Sequence, residues 1–316
     1  MMQGKVGGDS QDVAQPMISV VTPSLNHGRF LRQTIESVAA QTFRSFEHIV
    51  VDGGSTDGTV EILKEFPHLR WVSERDDHIV EAYQKALSMA RGRYIIQCCV
   101  SDGFLDLNWF KKCVDILEKD DEVSLVWGFA QTMSEEGDLL NVSFQDFFAD
   151  PPPQKRDFLA FWLASGFPLP EGNYCVRSEV IKQEFPDGQS SDWLRVCPHL
   201  GFLYEFLTQG YSPYFVPVVA NFGRTHHDQR SQRLSGIEKP GQAAYLKAVK
   251  EYGKNILHGR AVHQFRNGRS QVIGHIAPHE LSSLRRDVWR HRLLRSQLLR
   301  VDPYTLALKI KARIFS

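Results

Sequence analysis

Residues 17–58 read MISVVTPSLNHGRFLRQTIESVAAQTFRSFEHIVVDGGSTDG. The run 17–22 is apolar, rich in β-branched residues and stopped by Pro23, so it reads as a buried strand. Asn26-His27-Gly28 opens a helix whose apolar positions Leu31, Ile35 and Val38 recur at i, i+4 and i+7. Residues 46–51 form a second apolar strand, closed by Asp52-Gly53-Gly54-Ser55-Thr56-Asp57-Gly58, in which Asp57 reads as a helix cap. Working outward, a helix runs to about 66 and a strand covers 69–73. A further helix carries Ile79, Tyr83, Ala86, Leu87 and Ala90 on one face, and a fourth strand spans 94–100, ending at Ser101-Asp102-Gly103. Strands alternating with helices at this spacing predict an α/β fold with a mostly parallel central sheet and flanking helices. Right-handed crossovers then place all four strand-end turns on one edge, where ligands of such sheets bind.

The remainder is less regular. A helix is expected at 107–117, and strands at 123–133 and 139–144 joined through Glu136-Gly137-Asp138. Asp150-Pro151-Pro152-Pro153 breaks the chain. Beyond it come a helix at 156–164, a strand at 174–176, a helix at 199–209 and a strand at 214–218. Residues 221–241 form a long polar segment of the kind used as a lid, and helices fill 242–252 and 280–300.

Composition narrows the classes. The 316 residues are 42% hydrophobic and 23% charged, as in globular proteins, and no apolar run is long enough to span a bilayer. Residues 1–16 lack an apolar signal core and read as a disordered lead-in. Cys98, Cys99, Cys113, Cys175 and Cys197 have no metal-ligand spacing, which favours reduced thiols in a cytoplasmic protein. The zero net charge hides an asymmetry. Residues 260–316 hold twelve Lys and Arg against three Asp and Glu, a balance of +9 offset by −9 in residues 1–259. That tail is expected to meet an anionic membrane surface or the acidic body of the protein; no aromatic-interleaved basic motif supports nucleic acid.

The strand ends carry the chemistry: Thr22-Pro23-Ser24-Leu25-Asn26, then Asp52 with Gly54 and Ser55, then Asp76, then Ser101-Asp102. Neither a phosphate-loop lysine nor the GxGxxG fingerprint is present, which disfavours a dinucleotide dehydrogenase. Carboxylates repel a diphosphate unless a divalent cation mediates, and they also accept hydrogen bonds from ribose hydroxyls and a base N–H.

Residues 19–63, with WVSERDDHIVEAYQKALSMARGRYI at 71–95, resemble the inverting glycosyltransferases of family 2, which share the A-type nucleotide-binding fold; the likeness is close over 17–118. It implies transfer of a sugar from a nucleoside-diphosphate donor, UDP- or dTDP-linked, to a saccharide or lipid-linked acceptor, typically in bacterial surface-polysaccharide synthesis. It implies that the turn of Thr22, Pro23, Ser24 and Asn26 surrounds the base and that Asp52, with Gly54 and Ser55 beside it, hydrogen-bonds the base. Asp76 and Lys85 would lie near the sugar or ribose. Asp102, beside Ser101, would be the surviving member of an acidic motif for Mg²⁺ or Mn²⁺. The chain then divides into a donor half at 17–120, an acceptor half and lid at 121–240, and a helical basic extension at 241–316.

Several positions depart from the family pattern. Val100 and Gly103 stand where the acidic motif has polar or acidic residues, and His78, Glu81, Gln84 and Ala86 replace the usual Gly, Asp, Asn and Gly of the middle segment. The family's catalytic carboxylate falls on Pro198-His199, so Asp192, the nearest upstream acid, and His199 are the two candidate bases, with Asp192 preferred. In the polar segment, His226 and His227 are candidate metal ligands, and Arg224 a group closing over the diphosphate. The rival reading is a non-catalytic nucleotide-sugar-binding domain.

Overall fold

The computed structural model describes residues 15–143, 153–167, 169, 173–187, 198–228 and 235–298. The expected lead-in therefore lies almost entirely outside the described residues, as do Asp192, Trp193, Cys197, Arg230 and Arg233.

The opening alternation is realised as β1 (Ile18–Ser24), α1 (Gly28–Ala39), β2 (Phe46–Asp52), α2 (Thr59–Lys64), β3 (Leu69–Ser73), α3 (Ile79–Met89) and β4 (Tyr94–Gln97). β1 pairs in parallel with β2 on one side and β4 on the other, and β2 pairs in parallel with β3. The i, i+4, i+7 stripe of α1 does what its spacing demands. Leu31, Ile35 and Val38 are each 0% exposed, and burying such side chains stabilises by roughly 1.5–3 kcal/mol apiece.

Next come β5 (Gly103–Phe104), α4 (Trp109–Lys119), β6 (Val123–Met133), β7 (Leu139–Ser143), α5 (Phe158–Ser165), β8 (Tyr174–Arg177), α6 (Ser178–Glu184), α7 (Pro198–Thr208) and β9 (Ser212–Arg224). The last elements are α8 (Ser235–Leu257), the hairpin β10 (Gln264–Arg266) and β11 (Val272–His275), and α9 (Leu281–Leu298). The strand order β3-β2-β1-β4-β8-β6-β9-β5, with β7 on β6, makes one nine-stranded sheet. It is parallel from β3 to β4 and again between β6 and β9; β8, β7 and β5 run antiparallel to their neighbours. The sheet thus continues through the expected boundary at 120. One apolar cluster joins Val21, Ile49 and Val51 to Trp127, Tyr174 and Phe202 across it.

Three expectations are corrected. β4 ends at Gln97 rather than at 100, because the chain turns there: Asp102 N–H donates to the Cys99 carbonyl (3.1 Å) and Ser101 takes φ +86°. That left-handed conformation is costly for a residue with a side chain. Residues 221–224 are strand, not lid, since β9 stays paired with β6 as far as Met133↔Arg224; their polar character misleads because Asn221 and Arg224 are buried. The helix expected at 242–252 already begins at Ser235, so the polar segment is shorter than it reads.

The basic extension docks through its apolar side. Val288 is buried, Leu284 packs on the main core cluster and the His291 ring meets Phe161 of α5 edge-on at 5.6 Å. That contact is with the apolar α5 rather than with an acidic surface. Cys98, Cys113 and Cys175 are buried cysteines outside any disulfide, and Cys99 is a half-buried one.

Candidate active site

Two corners form at the carboxyl edge of the parallel strands, on either side of the end of β1. The first joins the turns after β1, β2 and β3. Asp52 is 0% exposed and accepts hydrogen bonds from Ser55 N–H (2.9 Å) and the Ser73 hydroxyl (2.7 Å), with a further short one from the Ser55 hydroxyl. Asn26, at φ +54°, receives the Thr56 N–H on Oδ1 (2.9 Å) and donates its own N–H to the Ser55 hydroxyl (2.7 Å). Gly54 completes the turn at φ +85°, a conformation open to glycine. Thr22, Pro23 and Ser24 are buried beneath, and the Thr22 hydroxyl is hydrogen-bonded to His48 Nε2 (2.9 Å). The exposed rim of this corner is therefore Leu25, Asn26, Gly54 and Thr56, with the Asp52 carboxylate holding it from below.

Asp76 closes the corner. A Cβ on Gly53 would fall 2.8 Å from Asp76 Oδ2, so only glycine lets the carboxylate approach the Asp52 turn this closely. Burial pushes the Asp76 carboxyl up; Lys85 opposes, while Glu81, Asp52 and Asp77 add to the rise. The Lys85 ammonium itself pairs with Glu74. Asp57 acts as a cap: it receives Gly28 N–H (2.8 Å) at the start of α1 and Thr59 N–H (3.2 Å) at the start of α2.

The second corner lies between α1 and the end of β9. The half-buried Asp102 accepts the Arg224 N–H on Oδ1 (3.1 Å), and its carbonyl accepts the Thr34 hydroxyl (2.7 Å). Arg224 does not reach outward as a lid residue would. Its guanidinium is held by the carbonyls of Ser134 and Glu135 (2.9 Å each) and by Gln33, and lies over the Phe30 ring at 4.9 Å, so it braces the β6–β7 turn against α1. His227 is exposed and pairs with Glu135 (3.0 Å), which Arg29 also contacts (2.8 Å). His226 is 3% exposed, edge-on to His27 at 5.1 Å and tilted on Phe30 at 4.8 Å, with Nδ1 2.5 Å from Asp228 Oδ1. Ligand atoms of His27, His226 and Asp228 lie within 4.8 Å of one another. Burial works to raise the Asp228 carboxyl. The His226 hydrogen bond and the charges of Arg29, His226 and His27 overcome it and hold the group at about 2.

Of the two candidate bases only His199 lies among the described residues, and it is interior. Nε2 meets the Tyr83 hydroxyl (3.0 Å), Nδ1 the Tyr174 hydroxyl (3.3 Å), and Tyr174 donates on to Gln97 (2.5 Å). A ring so engaged fixes α7 to β8 and α3 rather than facing an acceptor. Sequence reading missed Ser73, Gln33, Thr34, His27 and Asp228. A hydroxyl or imidazole beside a strand end was the available signal for Ser73 and His27, whereas Asp228 is tied to His27 only by folding.

The two departures in the acidic motif have a packing origin. Val100 is buried against Leu31, Ile35 and Val50, and Gly103 is boxed in by Ser37 and Phe222. The donors that remain, one carboxylate at Asp102 and the imidazole-carboxylate set at His226, still suit a divalent cation.

An α/β sheet with acidic turns gathered on its carboxyl edge is the architecture of A-type glycosyltransferases. The mannosyltransferase PcManGT from Pyrobaculum calidifontis, solved with GDP-Man and Mn²⁺, has the same fold at a TM-score of 0.52 and 17% identity, over 79% of this chain and 78% of that one. Residues 19–166 match the family described as glycosyl transferase family 2. A chondroitin synthase of Escherichia coli is 32% identical over 130 residues, 40% of this chain and 19% of the relative. A PGL/p-HBAD biosynthesis glycosyltransferase of Mycobacterium bovis is 30% identical over 121 residues, 37% of this chain and 47% of the relative. The chain thus spans under half the length of either.

Proposed function

We propose that the chain transfers a sugar from a nucleoside-diphosphate donor, UDP- or dTDP-linked, to a hydroxyl of a saccharide or lipid-linked acceptor, with inversion at the anomeric carbon. The convergence of the Asp52, Asp76 and Asp102 turns on one sheet edge carries this reading, and the likeness to a chondroitin synthase and a PGL/p-HBAD biosynthesis glycosyltransferase agrees with it. Asn26 and the turn braced by Asp52 receive the base, and Asp76 faces the ribose or sugar with Lys85 behind it. Asp102 and His226 are the residues that would hold a divalent cation, Mg²⁺ or Mn²⁺, which when bound neutralises charge on the leaving diphosphate. Asp192 is the proposed base, deprotonating the acceptor hydroxyl for in-line attack.

Transfer assays with UDP-, dTDP- and GDP-sugars plus Mn²⁺ test this. Asp102→Asn is expected to lower turnover by about 10²-fold, on the order of 3 kcal/mol. Unchanged turnover in that variant would sink the assignment, and donor binding without turnover across a broad acceptor panel would favour a non-catalytic binding domain.

The proposed setting is the cytoplasmic face of the cell membrane. No helix among the described residues is long and apolar enough to cross a membrane. With its apolar side docked, α9 presents Arg285, Arg286, Arg290 and Arg292 outward beside Trp289, which is 57% exposed. Charge near an anionic leaflet is worth about 1 kcal/mol per arginine, and tryptophan suits the interface. Co-sedimentation with phosphatidylglycerol vesicles but not with phosphatidylcholine vesicles is expected, and loss of it in Arg286→Glu/Arg290→Glu. Equal partition to both vesicle types would refute the idea.

A further inference from the structure

We propose that His27, His226 and Asp228 form a cation site selective for borderline-soft transition ions over Mg²⁺, and that Arg29 competes for it. The site lies within the donor pocket read above and deepens that reading by naming which ion the pocket takes.

Three observations carry it. The donor set is two imidazoles and one carboxylate, whose ligand atoms already lie within 4.8 Å of one another. Imidazole nitrogen favours Mn²⁺, Co²⁺ and Zn²⁺ in ascending order, whereas Mg²⁺ demands oxygen and retains water. The set is also partly built. His226 is 3% exposed, wedged between the Phe30 and His27 rings, and sits two residues beyond Arg224, whose main chain is bonded to Asp102. Finally, the carboxylate is already engaged by positive groups. Asp228 Oδ1 meets His226 Nδ1 at 2.5 Å and Arg29 Nη2 at 2.6 Å, and the other arm of Arg29 holds Glu135 at 2.8 Å.

An ion bound between Nδ1 and Oδ1 replaces that hydrogen bond. Two ligands on a tetrahedral ion at about 2.05 Å stand about 3.3 Å apart, so the pair has to open by under about 1 Å. Arg29 then yields Oδ1, which makes the guanidinium a competitor for the same charge. The ring has little freedom on its Phe30 side, so the opening falls to Asp228, which is half-buried and lies four residues beyond the end of β9.

The full chain without nucleotide is titrated with Co²⁺, Zn²⁺, Mn²⁺ and Mg²⁺, following heat and, for Co²⁺, visible absorption. Expected is one Zn²⁺ or Co²⁺ per chain, bound at least about 100-fold tighter than Mg²⁺, with a histidine-ligated Co²⁺ spectrum. His27→Ala and Asp228→Asn each weaken binding by about 10-fold or more, and Arg29→Met tightens it. Asp228→Asn is nearly isosteric, and a thermal melt of each variant separates lost ligation from lost folding. Mg²⁺ binding as tight as Co²⁺, or binding indifferent to His27→Ala or to Asp228→Asn, would each overturn the site. Cation binding without any nucleotide binding would leave the site standing and remove the transferase reading. Transfer supported by Mg²⁺ alone and unaffected by His27→Ala would do the reverse.

Discussion

Gly103→Asp, which writes an acid back into the motif after β4, is expected to destabilise the fold by on the order of 5 kcal/mol instead of strengthening cation binding. A Cβ at Gly103 would fall 2.6 Å from Ser37 Oγ and 2.7 Å from the Phe222 ring, both tighter than real contacts tolerate. Gly103 also pairs with Phe222 in the sheet, so its backbone cannot slide away without breaking the β5–β9 join. Overpacking of this kind costs about 1–3 kcal/mol, and a carboxylate pressed against a buried aromatic ring adds several more unless it gains a partner. Against a native margin of roughly 5–15 kcal/mol, little would remain. Urea unfolding monitored by tryptophan fluorescence checks this, with Gly103→Ala as a milder companion at about 2 kcal/mol. A Gly103→Asp protein with an unchanged midpoint and tighter Mn²⁺ binding would show that the motif was merely incomplete.

The second large effect is acid lability between pH 6.5 and 4.5. His48 sits beneath the first corner at 1% exposure, with Nε2 on the Thr22 hydroxyl and no hydrogen-bond partner on Nδ1. Burial, with a smaller push from His68, lowers its pKa from 6.5 to about 3. His263, bonded to the Tyr252 hydroxyl at 2.7 Å, is lowered by burial to about 4. Above 6.5 both states hold these imidazoles neutral and their stabilising contribution is complete. As pH falls below 6.5 the unfolded chain takes up protons that the native chain refuses, so stability is lost by about 1.4 kcal/mol per pH unit per histidine. The loss continues until the folded values are reached. At pH 4.5 the two together remove on the order of 5 kcal/mol. Several carboxyls titrate nearby, so the decisive quantity is the difference between wild type and His48→Gln. The variant's melting temperature should fall less steeply over this range, and parallel slopes would show that His48 carries none of the effect.

The first four strands were legible because each is a short apolar, β-branched run cut by Gly, Pro or Asp, and such runs have few alternatives. The departures at Val100 and Gly103 were legible too, but only as departures. That Val100 faces Leu31 and Ile35, and that Gly103 has no room for a side chain, depends on helices and a strand from elsewhere in the chain. The end of β9 misled for the opposite reason: Asn221 and Arg224 are polar yet buried, so alternation and composition both pointed to a loop. His27 and Asp228 are brought together only by the fold, and no local pattern joins them. His199 was read for its chemistry; its two tyrosine partners, from α3 and β8, show it as a brace.

The bond from Arg224 N–H to Asp102 spans 122 residues of sequence. Ribosomes release chains from the amino end at roughly 5–20 residues per second, and early-emerging segments tend to fold first. The parallel strands β1 to β4 pair with one another within the first 97 residues, so that pairing needs no strand that emerges later. The turn bearing Asp102 cannot settle until β9 has emerged and paired with β5. A nascent chain would then pass through a stage with its first corner formed and its second still open, so that the corner proposed for the base matures before the corner proposed for the cation.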